Sequence, residues 1–346
     1  MPSTLRWGVV STGKIANDFV TSMKHVLDPS EHQVIAIASR SLSSAKEFAG
    51  RFSIPKVYEG FEGLVNYSEV DVVYIASINT EHFTVSKTAL EAGKHVLCEK
   101  PMGMNFKLTE SLVNLAKSKG VFLMEAIWSR CLPSYSELKS RLESIGEVQY
   151  ACVEFGRKIK SERISRMDLG GGTVLDLGVY CIQFLNLVFN GEEPTQILTT
   201  GSLNTEKTDR NVSSIFKYSD GARVGIISTH SEMNMPCEAR VFGSKGSLTL
   251  KFPFWASEEL ECKLESHESG EVIKTPLPVL PKESKYHYNF INSSGLAYEA
   301  KHVKECIDKD LKESPLLDHE SILQISRHME KVRKAVGVVY PQDLEA

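Results

Sequence analysis

Cys98-Glu99-Lys100-Pro101 follows the apolar run His95-Val96-Leu97. That order sets a glutamate and a lysine just past the carboxyl end of a predicted strand, beside a rigid proline, where open α/β sheets bind ligands. A second segment, Gly170-Gly171-Gly172, runs into a predicted helix on which Asp176 and Tyr180 stand four residues apart and share a face. Amines, carboxylates and phenols at a ligand site are the groups from which proton-transfer chemistry is built. An Asp-x-x-x-Tyr pair alone would be read as polar core, and a single lysine as a solvated loop residue. The glycine approach together with Lys100 turns both toward function.

These residues need two kinds of scaffold. Leu5 to Ser11 is a short apolar run, and after Thr12-Gly13 the residues Ile15, Ala16, Phe19, Val20 and Met23 recur at helical spacing, which predicts strand, turn and helix. A strand at Gln33 to Ser39 completes a first βαβ unit. Helix Leu42 to Phe52, strands Lys56 to Tyr58 and Val70 to Ala76, and helix Glu81 to Ala92 with its Gly93 cap continue the alternation. Strand His95 to Cys98, helix Lys107 to Lys119 and strand Val121 to Met124 extend it, and the sum is a doubly wound parallel sheet of the Rossmann type.

From about Trp128 the pattern changes. Val148 to Phe155, Ile197 to Gly201, Ser213 to Tyr218, Arg223 to Thr229, Ala239 to Gly243 and Ser247 to Phe252 read as strands, several joined by turn residues such as Ser219-Asp220-Gly221. One helix, Thr173 to Phe189, interrupts them, and a helical region from Tyr298 to Val336 closes the chain. The expected class is α/β. It comprises a dinucleotide-binding Rossmann domain over 1–127 and an α+β domain over 128–346 with a large, mostly antiparallel open sheet, the terminal helix packing back on the first domain.

The dinucleotide fingerprint G-x-G-x-x-G/A is met by Ser11-Thr12-Gly13-Lys14-Ile15-Ala16, with serine for the first glycine and the permitted alanine last. Gly13 still lets a pyrophosphate approach the backbone at a helix amino end, so Ser11, Thr12, Gly13, Lys14 and Ile15 are candidate cofactor contacts. The second strand ends in Ser39-Arg40-Ser41, where an NAD-binding chain usually carries an acid for the ribose 2′-hydroxyl. Arg40 suits a 2′-phosphate instead, with Ser39 and Ser44 as hydroxyl donors, so NADP(H) is the expected cofactor.

Composition narrows the partners. A chain of 346 residues, 42% of them hydrophobic, exceeds the ~250 residues at which single cores stop growing, so two domains are expected. A net charge of −4 argues against nucleic acid or an anionic membrane and for a small-molecule ligand. The seven cysteines form no CxxC pair and mostly sit in apolar runs, which suits a reducing, cytoplasmic home. Leu5 to Val10 is too short for a signal peptide, and no apolar run approaches the ~20 residues of a membrane helix. The terminal Gln342 to Ala346 matches no recognised address. The Asn-x-Ser matches at Asn66, Asn211 and Asn292 are read as chance, and Pro276 to Lys282 as a surface connection. No His/Cys/Asp/Glu cluster has metal-ligand spacing, His287 included, so metal-free chemistry is expected.

The chain resembles the glucose-fructose oxidoreductase and inositol dehydrogenase family, Gfo/Idh/MocA. The amino-terminal turn, Glu99-Lys100-Pro101 and the glycine run into Asp176 and Tyr180 carry the resemblance, which covers nearly the whole chain. Four stretches are most similar to the dimeric, diol-oxidising branch of that family, where Ser11 also occurs: Arg6 to Ser11, Val96 to Pro101, Phe122 to Trp128 and Tyr298 to Val303. Many relatives carry histidine at the position of Tyr180, whereas in that branch the tyrosine is the proposed acid/base.

The resemblance implies hydride transfer between NADP(H) and a secondary alcohol. The alcohol belongs to a cyclic trans-dihydrodiol, giving a catechol, or to a pyranose such as D-xylose, giving a lactone. Tyr180 is the expected base; a phenol ionises near pH ~10 in water, and the ammonium of Lys100 favours the phenolate. Asp176 is expected to orient Lys100 or substrate, and Glu99 to touch the nicotinamide ribose. Ser77, Asn79 and His82 lie at the mouth left by the fourth strand, and Tyr74 lies within that strand. Trp128 and Arg130 are the expected wall over the nicotinamide. A homodimer through the carboxyl-terminal sheet is also implied. The alternatives are a sugar-ketone or dicarbonyl reductase and a non-catalytic NADP-sensing regulator.

Overall fold

Apolar runs without alternation build the first sheet. In the computed structural model, which describes residues 4–266 and 270–344 and so leaves Glu345 and Ala346 of the terminal stretch outside, six strands pair in parallel. They are β1 (Leu5–Val10), β2 (His32–Ser39), β3 (Lys56–Glu59), β4 (Val72–Ile75), β5 (His95–Glu99) and β6 (Leu123–Ala126), in the order β3-β2-β1-β4-β5-β6. All of β4 and nearly all of β5 are buried, as crossover helices on both faces require. Those helices are α1 (Lys14–Val26), α2 (Leu42–Phe52), the single turn α3 (Glu62–Val65), α4 (His82–Glu91) and α5 (Phe106–Lys119). The strand order reverses between β1 and β4, the switch point outside which such sheets open a crevice. The segments that leave β1, β4 and β5 carry Ser11 to Gly13, Ser77 to Asn79, and Lys100.

The second sheet is built differently. Its strands are β7 (Val148–Gly156), β8 (Gln196–Leu203), β9 (Asp209–Tyr218), β10 (Arg223–His230), β11 (Ala239–Gly243), β12 (Gly246–Leu250), β13 (Glu259–Leu264) and β14 (Glu271–Lys274). Their order is β14-β13-β12-β11-β7-β10-β9-β8. All pairings are antiparallel but one: β7 and β10 run parallel, so the expected meander is broken at its centre. Beyond the single turn α3 and strand β14, two further elements escape the sequence reading. Helix α6 (Pro133–Arg141) is largely polar, and in β13 the buried Leu260 and Cys262 alternate with charged residues that mask the period. Helix α7 (Val179–Val188), nearly all apolar and buried, lies against β7, β10 and β11. The opposite face presents exposed Tyr150 beside Phe242 and exposed Leu198 beside Ile215.

The helical run Met167–Val188 is long and apolar enough to cross a membrane by length and composition, contrary to the sequence expectation, but 94% of its apolar window is buried in the protein. It is a core helix. Nor is it regular, because Val174–Gly178 forms a π-helical turn before α7, a distortion that recurs at functional sites.

The closing helical region is two helices, α8 (Leu296–Asp308) and α9 (His319–Ala335). They part where Asp310 takes φ 55° and Pro315 removes a backbone donor. The chain divides into two compact units accordingly: residues through Gly103 with Lys107–Cys131 and Leu277–His319, and Met104–Phe106 with Leu132–Pro276 and Glu320 onward. It is α8 that belongs to the first unit, whereas α9 from Glu320 belongs to the second. Within the first unit the buried Asp18 of α1 accepts from the amides of Asn289 and Phe290, each at 2.9 Å, and from Ser293 Oγ at 2.7 Å, pinning the approach to α8.

Candidate active site

The turn after β1 shows why two small residues stand where they do. Ser11 adopts φ 103°, a conformation that favours glycine, and its Oγ accepts the Gly13 N–H at 3.1 Å. That bond offsets part of a strain of roughly 1–3 kcal/mol. Gly13 itself has an ordinary φ of −69°. A Cβ added there would meet, among the described residues, only Ser11 Oγ at 3.3 Å. The fold does not ask for glycine at 13, so the space is kept for something outside the chain, as a pyrophosphate cradle requires. Gly13→Ala is therefore expected to leave the melting temperature nearly unchanged and to weaken nicotinamide dinucleotide binding about tenfold or more, measured by fluorescence titration.

Arg40 is exposed beyond the end of β2. The turn around it is held by Ser39 Oγ, which accepts from Ser41 N at 3.4 Å, and by Ser41 Oγ, which accepts from Ser44 N at 3.3 Å as the cap of α2. At the ends of β4 and β5 the residues interlock. Tyr74 donates its hydroxyl to Glu99 at 2.6 Å, and its ring stacks on Phe19 at 3.8 Å. With 0% of its surface exposed, Tyr74 has no face to offer a cofactor, so its expected place among the cofactor contacts is corrected: it supports Glu99 from the core. His82 has Nδ1 2.7 Å from the Pro101 carbonyl and Nε2 3.1 Å from the Ser77 carbonyl. It ties the turn after β4 to the turn bearing Lys100. Asn79 is buried, Ser77 and Lys100 half-buried. Trp128 and Arg130 lie buried in the turn Trp128–Cys131, with Arg130 Nη1 donating to the Leu316 carbonyl at 3.4 Å.

In the second unit the glycine run answers to internal packing. A Cβ on Gly171 would come within 2.7 Å of the Arg166 carbonyl, and one on Gly172, at φ 130°, within 2.4 Å of Asp209 Oδ1. The Tyr340 hydroxyl donates to the Gly171 carbonyl. These glycines let the chain turn tightly into the helix of Tyr180; they are not evidence of ligand approach, as the sequence suggested. Gly172→Ala is accordingly expected to cost roughly 2–4 kcal/mol of stability, seen in chemical denaturation, the reverse of the Gly13 result.

Two residues that position this helix are distant in sequence and were missed. Asp209 Oδ2 accepts from Thr173 Oγ1 at 2.7 Å and from Val174 N at 2.8 Å, capping the π-helical turn, and burial pushes its carboxyl up to about 6. Arg163 grips Asp176 with two bonds, 2.8 and 3.0 Å, a bidentate geometry that fixes the carboxylate. No local pattern marks either partner. Tyr180, largely buried, lies 5.8 Å from the ring of Phe155, which stacks on Trp255 at 4.0 Å. An aromatic wall thus adjoins the phenol.

Among the described residues no group of three His, Cys, Asp or Glu side chains is placed to hold a metal. The turn at Gly13 and the residues at the ends of β2, β4 and β5 suit a dinucleotide.

Residues 5–127 match the model of the oxidoreductase family with NAD-binding Rossmann fold, and residues 135–249 match the GFO/IDH/MocA C-terminal domain. Trans-1,2-dihydrobenzene-1,2-diol dehydrogenase of Mus musculus is 42% identical over 342 residues, covering 98% of this chain and 99% of that protein. The Homo sapiens protein of that name is 40% identical over the same shares. Among solved structures, levoglucosan dehydrogenase in complex with NADH superposes with a TM-score of 0.82 at 18% identity, covering 96% of each chain. KijD10, a 3-ketoreductase from Actinomadura kijaniata in complex with NADP and TDP-benzene, gives 0.80 at 23% identity over 97% of this chain and 99% of that one. At those identities the two structures establish the shared fold. The chain is a nicotinamide-dependent oxidoreductase of the GFO/IDH/MocA family.

Proposed function

We propose that the protein is an NADP-dependent dehydrogenase that oxidises a secondary alcohol of a cyclic trans-dihydrodiol to the corresponding catechol. The observation that carries the choice of substrate is the stacked pair Phe155 and Trp255 beside Tyr180. An aromatic wall beside the proposed acid/base suits a ring-shaped alcohol that can lay an apolar face against it. The name borne by relatives at about 40% identity over nearly the full length points the same way.

The bound nicotinamide would supply the hydride acceptor. Ser11 to Ile15 would hold its pyrophosphate, Arg40 with Ser39 and Ser44 the 2′-phosphate, and Glu99 the nicotinamide ribose, with Ser77, Asn79, His82, Trp128 and Arg130 lining the way. Tyr180 takes the hydroxyl proton and, in reduction, returns it. The role of Lys100 is to favour the phenolate. Asp176, clamped by Arg163, orients the groups around it. D-Xylose, as a pyranose, is the second substrate class.

The exposed pairs Tyr150 with Phe242 and Leu198 with Ile215 support a homodimer through the open sheet face; sedimentation equilibrium at the mass of one chain would remove it. All seven cysteines are unpaired thiols, which supports a cytoplasmic home; fractionation placing the protein in a secretory compartment would refute that. The function is tested by a panel of trans-dihydrodiols, aldoses and dicarbonyls with NADP and NADPH, followed by nicotinamide absorbance in both directions. Diols should give the highest kcat/KM; a preference for dicarbonyl reduction would favour the reductase reading instead.

A further inference from the structure

We infer that Arg157 forms an anion subsite on the face of the second sheet that bears Tyr180, and that the ring-shaped alcohol oxidised there carries a carboxylate to fill it. The subsite rests on the reading of Tyr180 as the acid/base of a cyclic-alcohol dehydrogenase. Arg157 stands just past the end of β7, and its chain keeps to β10: Arg157 N donates to the His230 carbonyl at 2.9 Å and Ile159 N to the Ser231 carbonyl at 2.8 Å. Along extended backbone every second side chain returns to the same face of a sheet. For Arg157 that is the face of Phe155, whose ring adjoins Tyr180.

The aromatic wall leads to the cation. From Phe155 the rings pass to Trp255, stacked at 4.0 Å, and on to Phe252, edge-on to Trp255 at 6.0 Å; the Arg157 guanidinium lies over the Phe252 ring at 5.3 Å. Phe252 is 43% exposed and Arg157 half-buried, so the wall runs out to solvent through a ring and a charge. A guanidinium held over a ring face keeps its in-plane N–H donors for an oxyanion. The neighbouring arginines are already engaged: Arg163 pairs with Asp176, Arg166 with Asp168 and Arg210 with Glu232, whereas Arg157 has no ion-pair partner among the described residues. A carboxylate, planar like the guanidinium, pairs with it through two parallel hydrogen bonds. Cation and wall together fit an alcohol that lays its ring on the aromatic residues and turns a charged edge to Arg157.

The experiment measures kcat/KM with NADP for a trans-dihydrobenzene diol bearing a ring carboxylate, for its methyl ester, which keeps the shape without the charge, and for the unsubstituted diol. Wild type is expected to favour the carboxylate over the ester by about tenfold or more, as a charge-assisted, bidentate contact supplies. In Arg157→Gln that ratio should fall to within about threefold of unity. Arg157→Lys should give an intermediate ratio, because an ammonium keeps the charge and loses the fork. The ratio is taken within each protein, so a general loss of activity or stability cancels, and a merely structural role would leave it unmoved. Absence of a preference in wild type, or a preference undiminished in Arg157→Gln, overturns the inference while turnover of the unsubstituted diol leaves the dehydrogenase reading in place. If none of the three compounds is oxidised, that reading fails and the subsite with it.

Discussion

Replacing Tyr180 by Phe is expected to lower kcat for diol oxidation by about 10²–10⁴-fold, the range supplied by a positioned acid/base, while NADPH affinity stays within about threefold of wild type. The expectation follows from where the phenol sits. Tyr180 is held on α7, whose preceding π-helical turn is capped by Asp209 and whose core face packs on the second sheet. Its hydroxyl can be removed without touching those supports, and its ring contact with Phe155 survives in phenylalanine. The loss should fall on the chemical step, so KM for the diol should change far less than kcat. Retention of most of the turnover in single-turnover stopped-flow measurements would show that another group moves the proton.

Arg40→Ala is expected to weaken NADPH binding by about 30- to 100-fold, from loss of a charge-assisted, bidentate phosphate contact, and to change NADH binding by less than about threefold. No acid stands at the end of β2 to hold a ribose hydroxyl, and Arg40 is exposed where a 2′-phosphate would meet it. The flanking serines hold the turn, Ser39 Oγ and Ser41 Oγ each accepting a backbone amide, and a neutral hydroxyl donor adds less to a phosphate contact than a guanidinium. Discrimination between the two cofactors thus falls mainly on one guanidinium. Isothermal titration with both nucleotides decides it, and equal losses for the two would defeat the NADP assignment.

What could be read from the chain follows how local the physics is. Most strands of the first sheet were legible because buried parallel strands form apolar runs and their helices show a clear period; the edge strand β3, Lys56–Glu59, is charged at both ends and was read from its place in the alternation. The glutamate and lysine at the end of β5 stood out because unlike residues followed at once upon a buried run. The second sheet was legible only as a set of strands. Pairing β7 in parallel with β10 is a long-range event with no local signature, and β13 hides its period under glutamate and lysine.

The site divides in the same way. Gly13 and the glycines at 171 and 172 look alike in sequence, yet a Cβ at 13 would meet only Ser11 Oγ, at 3.3 Å among the described residues, while those at 171 and 172 would strike backbone and Asp209. Tyr74 stood among the candidate cofactor contacts although a residue inside a strand is more often simple core, and in a strand buried on both faces it points into the core. Arg163 and Asp209 reach Asp176 and Thr173 from 13 and 36 residues away, and such pairings become visible only once the backbone is folded.

The central claim is direct transfer of hydride from the carbinol carbon of a cyclic diol to the nicotinamide. It is tested by incubating the enzyme with NADP and trans-1,2-dihydrobenzene-1,2-diol deuterated at its carbinol carbons, and analysing the reduced nucleotide by mass spectrometry and NMR. The account predicts a single deuterium at the reactive carbon of the nicotinamide ring for each catechol formed, together with a slower rate than the protiated diol gives. Reduced nucleotide free of deuterium, or bound NADP that remains oxidised in the presence of the diol, would contradict it.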